Sequence, residues 1–118
     1  MNKNNCWNFK KKPFEDRLKE SQKMKETYPD KIPIIIDNDI NIKNITKFKF
    51  LIPGVLSVSN LMNCIRNIIK LEKEKAMFIF VNNNTIPCIT TSINNIYEEY
   101  ADPDGFLYIK VFLESTFG

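Results

Sequence analysis

Side chains able to do covalent or acid–base chemistry are scarce in this chain. It contains no histidine. That excludes Ser-His-Asp and Cys-His catalysis and any histidine-ligated metal. The three cysteines, Cys6, Cys64 and Cys88, are scattered, with no Cys-x-x-Cys pair. Such a set predicts neither a disulfide framework nor a zinc site, and fits a reducing compartment. Without a suitable basic neighbour in sequence, Cys64 and Cys88 read as packing residues rather than nucleophiles. Gly54, Gly105 and Gly118 are the only glycines. They stand too far apart for a P-loop or a dinucleotide fingerprint. No paired-carboxylate motif is present either. An enzyme is therefore disfavoured, and neither cofactor nor metal is expected.

Charge gives a second handle. The formal net charge is only +3 over 118 residues. Residues 1–25 nevertheless hold eight basic groups against three acidic ones (Glu15, Asp16 and Glu20), while the remainder is slightly acidic. A basic amino-terminal end suits an anionic membrane or an acidic partner, although each lysine also reads as part of a solvated helical face. Nucleic acid is not expected, because no aromatic–basic stacking motif accompanies the charge. Asn, Ile and Lys together make 47 of the 118 residues. This is a compositional bias, so the run Asn82-Asn83-Asn84 reads as a solvated turn.

The elements that must position these residues follow from periodicity. Lys11–Tyr28 reads as a helix: Pro13 suits a first turn, Glu15 and Asp16 suit its positive end, and Pro29 stops it. Phe14, Leu18 and Ser21 share one stripe, predicted to face the core. Met24 lies about 240° round from Leu18 and so falls off that stripe. It is placed to line a surface groove, or to pack on Tyr28 one turn later. Trp7 and Phe9 are candidate anchors for the preceding segment. Lys31–Asp37 is β-branched and reads as a strand, with Pro33 where one N–H is not needed. Asn38–Thr46 reads as a turn. Lys47–Ile52 alternates, with Phe48, Phe50 and Ile52 opposite Lys47, Lys49 and Leu51.

Ser57–Lys70 reads as the central helix, with Ser57 as N-cap and Val58, Leu61, Ile65, Ile68 and Ile69 facing the core. Lys75–Val81 is almost continuously apolar, which predicts an interior strand buried on both faces. Ser92–Tyr100 reads as a shorter helix, Asp102–Gly105 as a turn and Phe106–Phe112 as the last strand. No apolar run reaches the roughly 20 residues that span a bilayer, and no signal-peptide core is visible. A cytoplasmic, monomeric protein is expected. Two strands, a helix and two more strands suggest an α+β, ubiquitin-like β-grasp: a four-stranded mixed sheet with a central helix and additional amino-terminal helices. The alternating second strand is its expected edge, protected by lysines. One domain over 1–118 is expected, with 1–28 as a helical extension and 113–118 as a flexible tail.

Six stretches sharpen this reading: PFEDR at 13–17, YPDKIPII at 28–35, KFLIP at 49–53, EKAMFIFVNN at 74–83, DGFLYI at 104–109 and the Phe117-Gly118 pair. Together, over about residues 9–118, they resemble the autophagy ubiquitin-like modifiers, the GABARAP and microtubule-associated-protein light-chain-three group. The resemblance implies a modifier whose glycine, here Gly118, is activated, carried as a thioester and joined to phosphatidylethanolamine. Such a protein acts in autophagosome formation, on the autophagosome or another vesicle membrane once lipidated. Its implied partners are activating and conjugating enzymes, a deconjugating cysteine protease, and receptor peptides. Glycine suits the role chemically, since its acyl carbon is unobstructed by a Cβ.

The resemblance also implies recognition of aromatic-x-x-aliphatic motifs by strand addition to the second strand. Carried over, the aromatic pocket uses Glu20, Met24, Pro33, Ile35, Lys49, Leu51 and Phe106. The aliphatic pocket uses Phe50, Ile52, Pro53, Leu56, Leu61 and Ile65, each of which is equally plausible as core. Lys49 is expected to close over the aromatic ring and to pair with acidic residues beside the motif. The alternative is an unconjugated peptide-binding adaptor of the same fold. Leu61, Cys64, Ile68 and Cys88 depart from the family pattern, as does a shorter loop between the first two strands, which bears on peptide preference.

Overall fold

A computed structural model of the chain describes residues 9–38, 49–69, 75–82 and 85–115. Helix α1 spans Phe14–Thr27. It starts three residues later than periodicity predicts, because Pro13 is extended (ψ 144°) and caps the helix from outside it. Asp16 and Arg17 donate their N–H groups to the Pro13 carbonyl. The buried face of α1 also differs from the apolar stripe. Phe14 is 43% exposed, Leu18 is half-buried and only Ser21 is buried. The face turned inward is Arg17, Ser21 and Met24, spaced i, i+4, i+7. Two of those three side chains are polar, so hydrophobic periodicity misses the face.

Strand β1 (Lys31–Asn38) and strand β2 (Lys49–Pro53) pair antiparallel, with Ile32 opposite Ile52 and Ile34 opposite Phe50. Gly54 N–H donates to the Asp30 carbonyl in the same register. Hydrogen-bonded pairs alternate in such a ladder. Ile32–Ile52 and Ile34–Phe50 are therefore the bonded pairs. Pro33–Leu51 is a non-bonded one, so the Pro33 nitrogen faces the β4 side, where pairing begins only at Ile34–Leu107; that is how Pro33 is tolerated in an inner strand. The expected turn at Asn38–Thr46 lies outside the described residues after Asn38, as do Lys47 and Phe48.

Helix α2 (Val58–Ile69) is capped as predicted. Ser57 Oγ accepts from Asn60 N–H, and Asn60 Oδ1 accepts from Ser57 N–H. Val58, Leu61 and Ile65 are buried, whereas Ile68 is 43% exposed. Strand β3 (Lys75–Val81) follows α2. Helix α3 (Ile93–Tyr100) takes its cap from Ser92, whose hydroxyl accepts from Asn95 N–H. Strand β4 (Leu107–Ser115) comes last.

The sheet order is β2-β1-β4-β3, with β1 and β4 parallel and the outer pairs antiparallel. This is the expected α+β, β-grasp sheet, with β2 at one edge. The apolar strand β3 does not lie inside the sheet; it forms the other edge. Its inner residues Met77, Ile79 and Val81 are buried, but Phe78 is 37% exposed. Its apolar run reflects aromatic cover on the outer face, where Phe80 meets Phe112 edge-on with ring centroids 5.3 Å apart. β4 runs three residues past the expected Phe112, since Leu113, Glu114 and Ser115 pair with Met77, Ala76 and Lys75.

The principal core lies between the sheet and α2 and α3. It joins Ile34, Ile36, Leu107, Ile109 and Val111 to Leu61, Ile65, Ile93 and Ile96. Burying each such side chain contributes about 1.5–3 kcal/mol. Cys64 and Cys88 are exposed rather than packed. Cys64 lies off the Val58–Leu61–Ile65 stripe, and Cys88 sits in the loop before α3. Cys6 and Trp7 lie outside the described residues. Asn82 turns with a positive φ of 53° and is exposed, consistent with a solvated turn; Asn83 and Asn84 lie outside the described residues.

Candidate functional site

Alternation along β1 sends Ile34 and Ile36 to the principal core and Ile35 to the opposite face. There Ile35 meets Phe106 and Phe9 in a second apolar cluster, with Met24 and Tyr108 packed against it. α1 and the turn at residues 9–12 cover this side of the sheet. Glu20, one turn before Met24 on α1, hangs over the β2 edge. Its Oε2 accepts from Lys49 Nζ at 2.6 Å and its Oε1 from Lys12 Nζ at 3.0 Å. Both ammonium groups also stand over the Phe9 ring, at 5.2 Å for Lys49 and 5.3 Å for Lys12.

The expected aromatic-pocket residues are therefore one neighbourhood. Met24, Ile35 and Phe106 share the cluster. Pro33 is buried beside them on β1, directly opposite half-buried Leu51 on β2. Glu20 and Lys49 form the rim. Lys49 is already engaged with an acidic group, but with this chain's own Glu20. Partial burial raises the Glu20 pKa, yet hydrogen bonds from Lys49 and Lys12 outweigh it and hold the carboxyl below its ordinary value. The pair is partly exposed, so its contribution to stability is modest.

The backbone of β2 adds a second recognition element. Phe50 and Ile52 belong to the hydrogen-bonded pairs with β1. Lys49 and Leu51 consequently turn their N–H and C=O groups away from β1, toward the sheet edge.

The expected aliphatic-pocket residues divide differently. Ile52, Leu61 and Ile65 are buried in the principal core, and Phe50 and Leu56 pack on its margin. Pro53 is half-buried and opens the turn in which Leu56 N–H donates to its carbonyl. Three of these six are thus core residues first, and Phe50, Pro53 and Leu56 are those with exposed surface. Gly118 and its neighbours Thr116 and Phe117 lie outside the described residues.

A buried polar network ties α1 to the rest of the site. Asp104 is fully buried. Its Oδ2 accepts from Arg17 Nη1 and from the Tyr108 hydroxyl, each at 2.6 Å, and its Oδ1 accepts from Phe106 N–H at 2.9 Å. Ser21 Oγ donates to the Asp104 carbonyl at 2.6 Å, and Tyr97 donates to the Gly105 carbonyl at 2.7 Å. Burial first, then the hydrogen bond to Asp104, pushes the Tyr108 phenol well above its usual range. Burial, with the Asp104 charge, also raises Tyr97. This network fixes Phe106 and α1 relative to each other and so shapes the cluster between them.

Sequence reasoning reaches neither the network nor the place of Phe9, which is legible only as an anchor of unspecified target. Arg17 and Asp104 are 87 residues apart, beyond any local pattern. Among the described residues no helix is long and apolar enough to cross a membrane. Also among them, no group of three or more His, Cys, Asp or Glu could hold a metal ion.

Comparison with known proteins bears on all of this. A family model described as autophagy protein Atg8, ubiquitin-like, matches residues 16–118. Autophagy-related protein 8a of Arabidopsis thaliana is 43% identical over 108 residues, covering 90% of this chain and 88% of its own. Among solved structures, Trypanosoma brucei ATG8 superposes with a TM-score of 0.82 at 35% identity, covering 92% of this chain and 94% of that one. Plasmodium falciparum Atg8, solved in complex with a Plasmodium falciparum Atg3 peptide, gives 0.75 at 33% identity, covering 86% and 91%.

Proposed function

This chain belongs to the Atg8 family of ubiquitin-like autophagy modifiers, and from that premise we propose that Gly118 is its conjugation point and the β2 edge its receptor-binding surface. The Gly118 carboxyl is activated by a partner enzyme, held as a thioester on a partner's cysteine, and transferred to the amine of phosphatidylethanolamine, forming an amide and releasing the cysteine thiol. All acid–base and nucleophilic groups come from those partners, which suits a chain without histidine. The protein itself is not an enzyme. A soluble cytoplasmic chain thereby acquires a membrane anchor and resides on the autophagosome. A conjugating enzyme of the Atg3 class docks as a peptide, by analogy with the Plasmodium falciparum complex. An activating enzyme and a deconjugating cysteine protease complete its partners.

One observation carries the receptor reading. The Met24–Ile35–Phe106 cluster, rimmed by Glu20 and Lys49, adjoins a strand edge whose Lys49 and Leu51 backbone groups face outward. An extended peptide adds to that edge as a strand. Its aromatic side chain enters beside Met24, Pro33 and Leu51, and its aliphatic one meets Phe50, Pro53 and Leu56. Ile52, Leu61 and Ile65 line the latter pocket from below. An acidic group flanking the motif takes over Lys49 from Glu20 by exchange of one charge-assisted bond for another.

Two measurements test the proposal. Intact mass of the protein recovered from its native cell should show a phosphatidylethanolamine adduct in the unaltered chain and none in Gly118→Ala. An adduct that persists in the variant refutes conjugation at Gly118. Titration with an aromatic-x-x-aliphatic peptide should lose most affinity in Leu51→Ala and Lys49→Ala. Unchanged affinity in both refutes the groove. Peptide affinity without any adduct would make the protein an unconjugated adaptor.

A further inference from the structure

The aromatic cluster already contains an aromatic side chain from this chain. Phe9 is only 3% exposed, and its ring meets Phe106 edge-on with centroids 5.0 Å apart. Ile35 and Phe106, two residues assigned above to the aromatic pocket, are both 0% exposed. An entering side chain therefore cannot touch them without sharing or changing the space that Phe9 takes up. The two ammonium groups at the rim, Lys49 and Lys12, both approach the Phe9 ring while bonded to Glu20. The ring thus sits under the same lid that an incoming aromatic has to pass.

We infer that Phe9 sets the depth of the aromatic pocket and so determines which aromatic side chain the groove prefers. This rests on the peptide-binding reading above. The ties that Lys10 gives the 9–12 turn are exposed ones. It bridges to Asp102 at 3.3 Å, and its ammonium lies 4.1 Å from the Tyr108 ring centroid. Exposed pairs of this kind hold weakly. The turn is also tied to α1, where Lys12 bonds to Glu20 and the Lys12 carbonyl accepts from Arg17 Nε, and the buried Phe9 ring fills the cluster beneath it. With that ring in place the remaining pocket is shallow, which favours phenyl over indole side chains. A smaller residue at position 9 leaves volume beneath the lid, and indole, the larger ring, gains most from it.

The test is a ratio, which general loss of stability does not move. Two synthetic peptides, identical except for Phe or Trp at the aromatic position of an aromatic-x-x-Leu motif, are titrated into the full chain. The same titrations are repeated with Phe9→Ala and Phe9→Leu. The Trp peptide should gain about tenfold relative to the Phe peptide in Phe9→Ala, the low end of the discrimination that one methylene-sized contact supplies in an apolar pocket. Phe9→Leu keeps the segment apolar and should shift the ratio in the same direction by a smaller factor. It serves as the deciding variant if Phe9→Ala does not fold. A ratio unchanged within about twofold in the folded variants, with both peptides still binding, overturns the depth assignment alone. Failure of both peptides to bind the unaltered chain overturns the groove itself, and the depth assignment with it.

Discussion

Replacing Asp104 by Asn tests the polar network with little change of shape. The new amide oxygen can still accept from Phe106 N–H, but the amide nitrogen now faces the two groups that donated to Oδ2. The Tyr108 hydroxyl can rotate and accept. Arg17 cannot, because a guanidinium only donates. Arg17 has a side chain just 12% exposed and Asp104 none at all, so a charge is left nearly dry. Removing one partner of a buried pair costs about 3–5 kcal/mol, and the sliver of solvent at Arg17 argues for the lower end, about 3 kcal/mol. For a domain of this length that corresponds to a fall in Tm of roughly 12 °C. Urea unfolding followed by far-ultraviolet circular dichroism measures it. Arg17→Met should be less damaging when combined with Asp104→Asn than alone, with a coupling of about 2 kcal/mol. A cost below about 1 kcal/mol for Asp104→Asn, or simple additivity in the double variant, would refute the view that this pair is a desolvated unit.

Three further outcomes are expected. Gly105 has φ of 88°, and a Cβ built there would lie 2.2 Å from Ser21 Oγ; Gly105→Ala should cost about 2 kcal/mol in urea denaturation, by strain and by displacing the Ser21 bond to Asp104. Glu20 should titrate below the ordinary carboxylate value of about 4.3 in a carbonyl-carbon NMR experiment, and Lys49→Ala should raise it. Because its folded pKa is depressed, the stability it contributes is present above the unfolded value and fades as pH falls through the folded one. Ile65→Ala, in the core, should cost about 3 kcal/mol, whereas Ile68→Ala, on the exposed side of α2, should stay within about 0.5 kcal/mol.

The elements themselves are largely legible in the residues. β1 and β2 announce themselves by β-branching and alternation, and α2 by its serine cap and apolar stripe. What sequence reasoning misses has a common cause. Periodicity reports which residues are apolar, not which face a polar residue is folded onto. The inward face of α1 carries Arg17 and Ser21, so the stripe through Phe14 is the wrong one. β3 reads as doubly buried because Phe78 and Phe80 are aromatic, yet they lie on the outer face of an edge strand. The candidate site is read through resemblance, and partly through Leu51 standing on the face of β2 opposite Phe50 and Ile52; Met24, read as off the core stripe, in fact lies on the inward face of α1. Phe9 and Asp104 escape because their partners are distant in sequence and their roles depend on the packed fold.

The pairing of β4 has a mechanical side. It lies between β1 and β3, in register with five residues of one and seven of the other. A tug on the carboxyl-terminal end reaches this strand directly and loads both ladders lengthwise. Bonds sheared in parallel resist together, whereas those peeled from a border give way singly. A body tethered by that end would carry drag through its most firmly clamped strand, leaving β2 slack to meet whatever it is towing.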